Sequence, residues 1–296
     1  MLLVDLFSQS NTLQTLTTND NNDNLYSIST IEIPLKSSQP ILTVSSNDIF
    51  VNEQTKRKNQ LVLMNENLKK TFIESPIKEP IIGSLWYDKK QKLLLLTETK
   101  IFTYDLDTKI IKAIIDIKPT DDKIFKCFSM FNNECSLFIA YNEWGLKFIE
   151  KWNMNEDESW ELTEKFPLNL TSNEFIGNML TIYDNDNFNL AITIYNDFTE
   201  EWRMELRHIE TGICFRSIFL SRFDPENDYR MIYMKNMISD IKWLIYSKSS
   251  KKIIAINSKW KKTYFPYKFP IYRMELFQNN SVIIRTTKKI NIHRFT

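Results

Sequence analysis

One rhythm limits what this chain can fold into. An apolar run, a short polar break and a second, more apolar run return six times, at 41–44 with 49–51, 84–87 with 93–96, 127–131 with 136–140, 179–183 with 190–194, 235–238 with 243–246, and 274–277 with 282–284. The breaks carry the residues that suit hairpin turns, as in Asn132-Asn133, Asn279-Asn280 and the stretch from Asp184 to Asn187. A third run follows and alternates apolar with polar, as half-buried strands do: Ile101-Phe102-Thr103-Tyr104-Asp105-Leu106, Met204-Glu205-Leu206-Arg207-His208-Ile209 and Lys289-Ile290-Asn291-Ile292-His293. Fourth runs stand at 111–117, 214–220 and 263–269, and prolines such as Pro76, Pro119, Pro225 and Pro270 lead on to the next unit. The period is about 47 residues, near the length of a four-stranded blade.

Composition favours the same reading. Glycines are four (Gly83, Gly145, Gly177, Gly212) and alanines four, while Ile, Leu, Phe, Tyr and Thr fill the space, which tilts the chain from helix toward strand. The expectation is an all-β fold: a β-propeller of six blades, each of four antiparallel strands, with seven blades as the alternative and a β-sandwich pair or a mixed α+β fold as the competing architecture. As one domain over 1–296, its repeats run 35–76, 77–120, 121–170, 171–222, 223–269 and 270–296. The last unit stops three strands in, so the N-terminal segment 1–34 must complete it. The run at 25–33, followed by Pro34, is preferred over the run at 2–7 as the closing strand, which would leave no exposed sheet edge at the seam. A short helix from Glu156 to Phe166, with Trp160 and Phe166 facing inward, is the lesser reading of that stretch and would be an insertion between strands.

The ending Tyr104-Asp105-Leu106-Asp107-Thr108 resembles the third-strand terminus of WD-repeat propellers, with Tyr in the Trp position, and His208-Ile209-Glu210-Thr211-Gly212 is a weaker copy. The family's Gly-His pair and its Trp-Asp dipeptide occur nowhere in the chain. The resemblance implies a scaffold that binds partners, usually proteins, on its loop-bearing faces.

Chemistry finds little foothold. Two histidines, His208 and His293, sit in alternating third-strand runs and are expected to face outward. With no Cys-x-x-Cys pair, no zinc or other metal site is expected. No Gly-x-Ser-x-Gly elbow and no glycine-rich phosphate loop is present, so neither catalytic residues nor a cofactor is assigned. The acidic turn at 184–187 lacks the Gly and the later Glu of a calcium loop. An enzyme or a small-ligand sensor using the central channel is the runner-up reading. Lys plus Arg at 38 against Asp plus Glu at 37 argues against nucleic acid as the main partner. No run approaches the ~18 apolar residues of a membrane span, and the three cysteines (Cys127, Cys135, Cys214) suit a reduced, cytoplasmic setting as free thiols.

The leading reading is therefore a non-catalytic interaction scaffold. Loops between second and third strands share one face of a propeller. Here they carry Lys56, Arg57 and Lys58 in the first unit, Lys248, Lys251 and Lys252 in the fifth, and Lys288 and Lys289 in the sixth. The matching loops of the third and fourth units carry Glu143, Asp197, Glu200 and Glu201. Trp144 and Trp202 lie near the latter as candidate interface anchors. The basic loops point to a protein partner that is acidic or phosphorylated.

Overall fold

A computed structural model of the chain describes residues 28–34, 42–54, 59–65, 67, 69–119, 122–131, 134–184, 187–222, 228–234, 240–248, 250–277, 281–287 and 289–295. The strands fall where the rhythm puts them with one exception: the first strand of the fifth group is Tyr229–Tyr233, ahead of the run at 235–238, which lies outside the described residues. After β1 (Ile28–Pro34) come β2 (Leu42–Val44), β3 (Asp48–Gln54), β4 (Asn59–Asn65) and β5 (Lys70–Glu74), then β6 (Gly83–Tyr87), β7 (Lys92–Leu96), β8 (Ile101–Asp105) and β9 (Ile111–Ile114). The third group is β10 (Phe125–Phe131), β11 (Ser136–Tyr141), β12 (Phe148–Met154) and β13 (Trp160–Pro167), and the fourth is β14 (Glu174–Asp184), β15 (Asn187–Asn196), β16 (Glu201–His208) and β17 (Cys214–Arg222). The fifth is β18 (Tyr229–Tyr233), β19 (Ile241–Ser247), β20 (Lys252–Asn257) and β21 (Lys262–Pro266), and β22 (Arg273–Phe277), β23 (Ser281–Arg285) and β24 (Lys289–Phe295) end the chain.

Each group forms its own sheet, in sequence order, and the last is completed as β22-β23-β24-β1. Neighbouring strands run antiparallel, the blade arrangement of an all-β, six-bladed propeller. No seventh sheet occurs among the described residues, so the seven-blade alternative falls. The closing strand is the preferred one: β1 pairs with β24 from Ile28↔Phe295 to Pro34↔Lys289. The run at 2–7 lies outside the described residues.

The chain divides into two compact units, Met1–Phe72 with Ile232–Thr296, and Ile73–Met231. In the first, Ile33, Leu42, Ile49, Val62, Phe277 and Ile292 share one core cluster, while Leu244, Ile253, Phe265, Met274 and Ile284 share another. In the second, a single cluster runs from Leu94 through Phe138 and Ile139 to Ile192 and Ile194. Second strands pack on both faces, which is why their middles read as apolar runs: every residue of β11 and β23 is buried, including Ser136, Ser281 and Arg285 at their ends. Outer strands bury few of their residues. That excludes the helix alternative at 156–166, where β13 stands over Trp160–Pro167. Trp160 and Phe166 do face inward, while Glu161, Thr163, Glu164 and Lys165 between them face solvent. The helix-like composition of that stretch reflects a wetted strand.

Candidate interaction surfaces

In the first unit the turn between β19 and β20 holds Lys248, Lys251 and Lys252, all exposed. The turn is tied locally, with Ser250 N–H donating to Ser247 O at 3.2 Å and Lys252 N–H to Ser250 Oγ at 3.0 Å. It is also tied to the loop after β21: Tyr267 N–H donates to Lys251 O at 2.7 Å, and Ile271 N–H to Ser250 O at 2.8 Å. That second loop brings Lys268, exposed, onto the same end, with its ammonium 5.4 Å from the Phe269 ring. Lys289 also lies over the Phe269 ring, at 4.5 Å. Its Nζ is paired with Glu32 of the closing strand, so its charge is spent at the seam. Lys56, Arg57, Lys58 and Lys288 lie outside the described residues.

The second unit separates the two tryptophan anchors. Trp144 is 51% exposed, its ring meeting Phe175 edge-on at 4.7 Å. Trp202 is wholly buried and is removed from the surface. Its indole contacts Phe175, Tyr195 and Tyr229 at centroid distances of 5.6, 5.2 and 5.6 Å. It also lies against Gly177, where a Cβ would come within 2.5 Å of Cζ3. Of the acidic group, Glu143 is paired with Lys123 at 2.7 Å and Glu201 with Arg222 at 2.8 Å, while Asp197 and Glu200 stand exposed.

The two histidines differ. His208 is exposed and stacks on Phe215 at 4.4 Å. His293 is buried, which corrects the outward expectation: a third strand is packed on both faces, so alternation does not mark a wet side. Asn291 donates to the Tyr267 hydroxyl at 2.5 Å, and that hydroxyl lies 3.2 Å from His293 Nε2. Burial pushes the imidazole down to about 4, against a smaller opposing pull from Glu32. The ring is therefore neutral in the folded chain, while the unfolded chain takes up its proton near pH 6.5. Stability from this group is present above pH 6.5 and is lost as pH falls from there toward 4, about 3 kcal/mol in all. Denaturant unfolding at pH 7 and pH 5 should show a loss of about 2 kcal/mol more for the native chain than for His293→Gln. Equal losses would mean the ring is already charged when folded.

Of the cysteines, Cys127 is buried, Cys135 half-buried and Cys214 exposed, and all three are free thiols. Burial, above all, pushes the Cys127 thiol up to about 12, which leaves no reactive thiolate there.

The endings that carry the resemblance fold alike. Asp105 N–H donates to Ile110 O and Lys109 N–H to Asp105 O, and His208 and Gly212 repeat both bonds with Ile213 and His208. Lys109 and Gly212 occupy the same left-handed position, at φ 58° and 67°. In the stronger copy the Asp105 carboxylate also accepts from the Asp107 and Thr108 amides, and Tyr104 is buried beneath. Comparison with solved structures extends the likeness to the whole chain. The WD40 domain of coronin from Toxoplasma gondii matches with a TM-score of 0.59 at 7% identity, over 90% of this chain and 86% of that one. A chain of the mitotic checkpoint complex matches with 0.59 at 8% identity, over 97% and 98%. The fold is a WD-repeat-like β-propeller. Propellers that are enzymes share it too: a streptogramin B lyase structure matches with 0.62 at 9% identity, over 91% of this propeller and 98% of the lyase. No protein-family model and no curated protein matches the sequence. Among the described residues of the propeller no helix is long and apolar enough to cross a membrane.

Proposed function

We propose that the propeller is a non-catalytic interaction platform, and that the loop end of its first unit takes an acidic or phosphorylated protein segment. The observation that carries this reading is the β19–β20 turn. Lys248, Lys251 and Lys252 stand exposed there within five residues, on a backbone braced by the Tyr267 and Ile271 amides. Lys268 adds a fourth charge from the bracing loop. None of Lys248, Lys251 and Lys252 enters an ion pair among the described residues, so their charge is available to a ligand without first breaking a bond. Ammonium groups on a fixed backbone recognise phosphate or carboxylate mainly as point charges, and they steer encounter. Lys56, Arg57 and Lys58 extend the same chemistry in sequence. The coronin domain and the checkpoint-complex chain show this fold in a domain of a larger protein and in an assembly, which agrees with a platform. The lyase likeness, at 9% identity, carries the fold and no chemistry.

A peptide array of phosphoserine-containing and glutamate-rich sequences, probed with the full chain, tests this. The joint change Lys248→Glu, Lys251→Glu, Lys252→Glu should weaken the best binder about tenfold or more and flatten its salt dependence. All three side chains are exposed, so the fold should survive. Binding that is unaltered by the reversal would reject the basic turn as the site.

A further inference from the structure

The second unit presents a different surface, of opposite charge. Phe198, at the tip of the turn between β15 and β16, is 84% exposed, far more than an aromatic ring in a rigid turn requires. The turn is not loose. Thr199 N–H donates to Asn196 Oδ1 at 3.0 Å, Asp197 N–H to Asn173 O at 2.8 Å, and Glu200 holds a left-handed φ of 55°. The loop after β11 presents Trp144 in the same manner, next to Gly145 at φ 65°.

A single residue ties the two loops together. Glu174, buried at the start of β14, accepts from Gly145 N–H with its backbone oxygen at 2.7 Å. Its carboxylate accepts from Asn196 Nδ2 at 3.2 Å and from Thr171 N–H at 3.0 Å, and it pairs with Arg203 at 2.6 Å. Arg203 is held in turn by Glu205, which also grips Arg207. Burial alone would raise the Glu174 carboxyl, but the Arg203 bond and the Thr171 amide outweigh it and hold it below the usual range. The carboxylate stays charged, so the hub stays made. Trp144 and Phe198 are thus carried on one braced end, by backbone that has already given up its freedom. That is the arrangement in which an exposed aromatic costs least to use as an anchor.

The charge beside Phe198 has one sign. The turn at 196–200 carries Asp197 and Glu200 and no cation, while the loop at 142–147 carries Glu143, paired with Lys123, and the exposed Lys147. Asp197 and Glu200 are exposed, and after burial they are what raises the Tyr195 phenol above its ordinary range, so their field reaches the aromatic stack. An anionic turn around Phe198 disfavours the acidic segment proposed for the first unit and calls for the reverse.

We propose that Trp144 and Phe198 form a second docking surface, which takes a protein segment bearing an apolar side chain flanked by lysine or arginine. The apolar group packs on the rings, while the cations meet Asp197 and Glu200 and stack on the exposed ring faces.

Random peptides displayed on phage and selected on the full chain supply the probe. Selection should enrich sequences with lysine or arginine beside an aromatic or large aliphatic residue. Synthetic peptides of that consensus should lose about tenfold or more in affinity for Phe198→Ala and for the double change Asp197→Lys, Glu200→Lys. The Lys248, Lys251, Lys252 reversal should leave them unchanged, which separates this surface from the first. Phe198 is exposed enough that its truncation should not move the thermal midpoint, so a binding loss is not a folding loss. No enrichment over the bare support, or a consensus whose binding survives Phe198→Ala together with Trp144→Ala, would overturn the proposal.

Discussion

A chain begun at residue 35 is expected to lose about 9 kcal/mol of stability and to aggregate at concentrations where the full chain is clear. Removing β1 strips the seven-pair ladder from β24, at about 1 kcal/mol net per hydrogen bond. It also removes Ile33, which lies in the core with Ile49, Val62 and Ile292, a further ~2 kcal/mol. Lys289 loses Glu32 as well. The sum is a large share of the 5–15 kcal/mol that holds a typical domain. Ile290, Ile292 and His293, now buried, would then sit beside an unpaired strand edge, the template for wrong pairings. Denaturant midpoints and light scattering measure the two effects, and a synthetic peptide spanning 25–36 should restore both in trans. A truncated chain with an unchanged midpoint would show that the seam is ornamental.

Trp202→Ala should cost about 3–5 kcal/mol, the range for emptying a large core site. The indole is wholly buried among Phe175, Tyr195 and Tyr229. The backbone is arranged for it. The β14–β15 register shifts between Ile176 and Asn178, which sets the side-chain-free Gly177 against the ring. Beside it, Asn178 N–H donates to Thr193 Oγ1 at 2.9 Å, and that hydroxyl donates to Tyr229 O at 2.8 Å. Neighbours pinned by such bonds cannot collapse into the space the indole leaves. Urea unfolding checks this, and a loss under about 1 kcal/mol would mean that the void refills.

Those two sites also mark what the sequence could and could not disclose. The ladder was legible because strands buried on both faces are written as continuous apolar runs, as in Leu93 to Leu96, and because the last group lacked a fourth member. Trp202 was not, since it follows a polar turn and two of its three ring partners, Phe175 and Tyr229, lie 27 residues away on either side. His293 was misread for a related reason: alternation marks a wet face only where one side of a strand is bare. The Lys248, Lys251 and Lys252 turn was visible as polar sequence between apolar runs, but the pairing of Lys289 with Glu32 spans 257 positions and leaves no local trace. Phe198 passed unnoticed although its signature is plain, an aromatic inside Asn196-Asp197-Phe198-Thr199-Glu200. Glu174 has no signature, because only the assembled loops give it four partners.

The seam has a further consequence during synthesis. Ile28 leaves the ribosome long before Phe295, with which it pairs. At ordinary translation rates of ~5–20 residues per second, roughly 13–50 s separate the two. For that interval β1 has no mate, and the newest edge of each growing sheet waits on what has yet to be translated. Yield in a foreign host should therefore depend on holdase chaperones more than on the stability of the finished molecule.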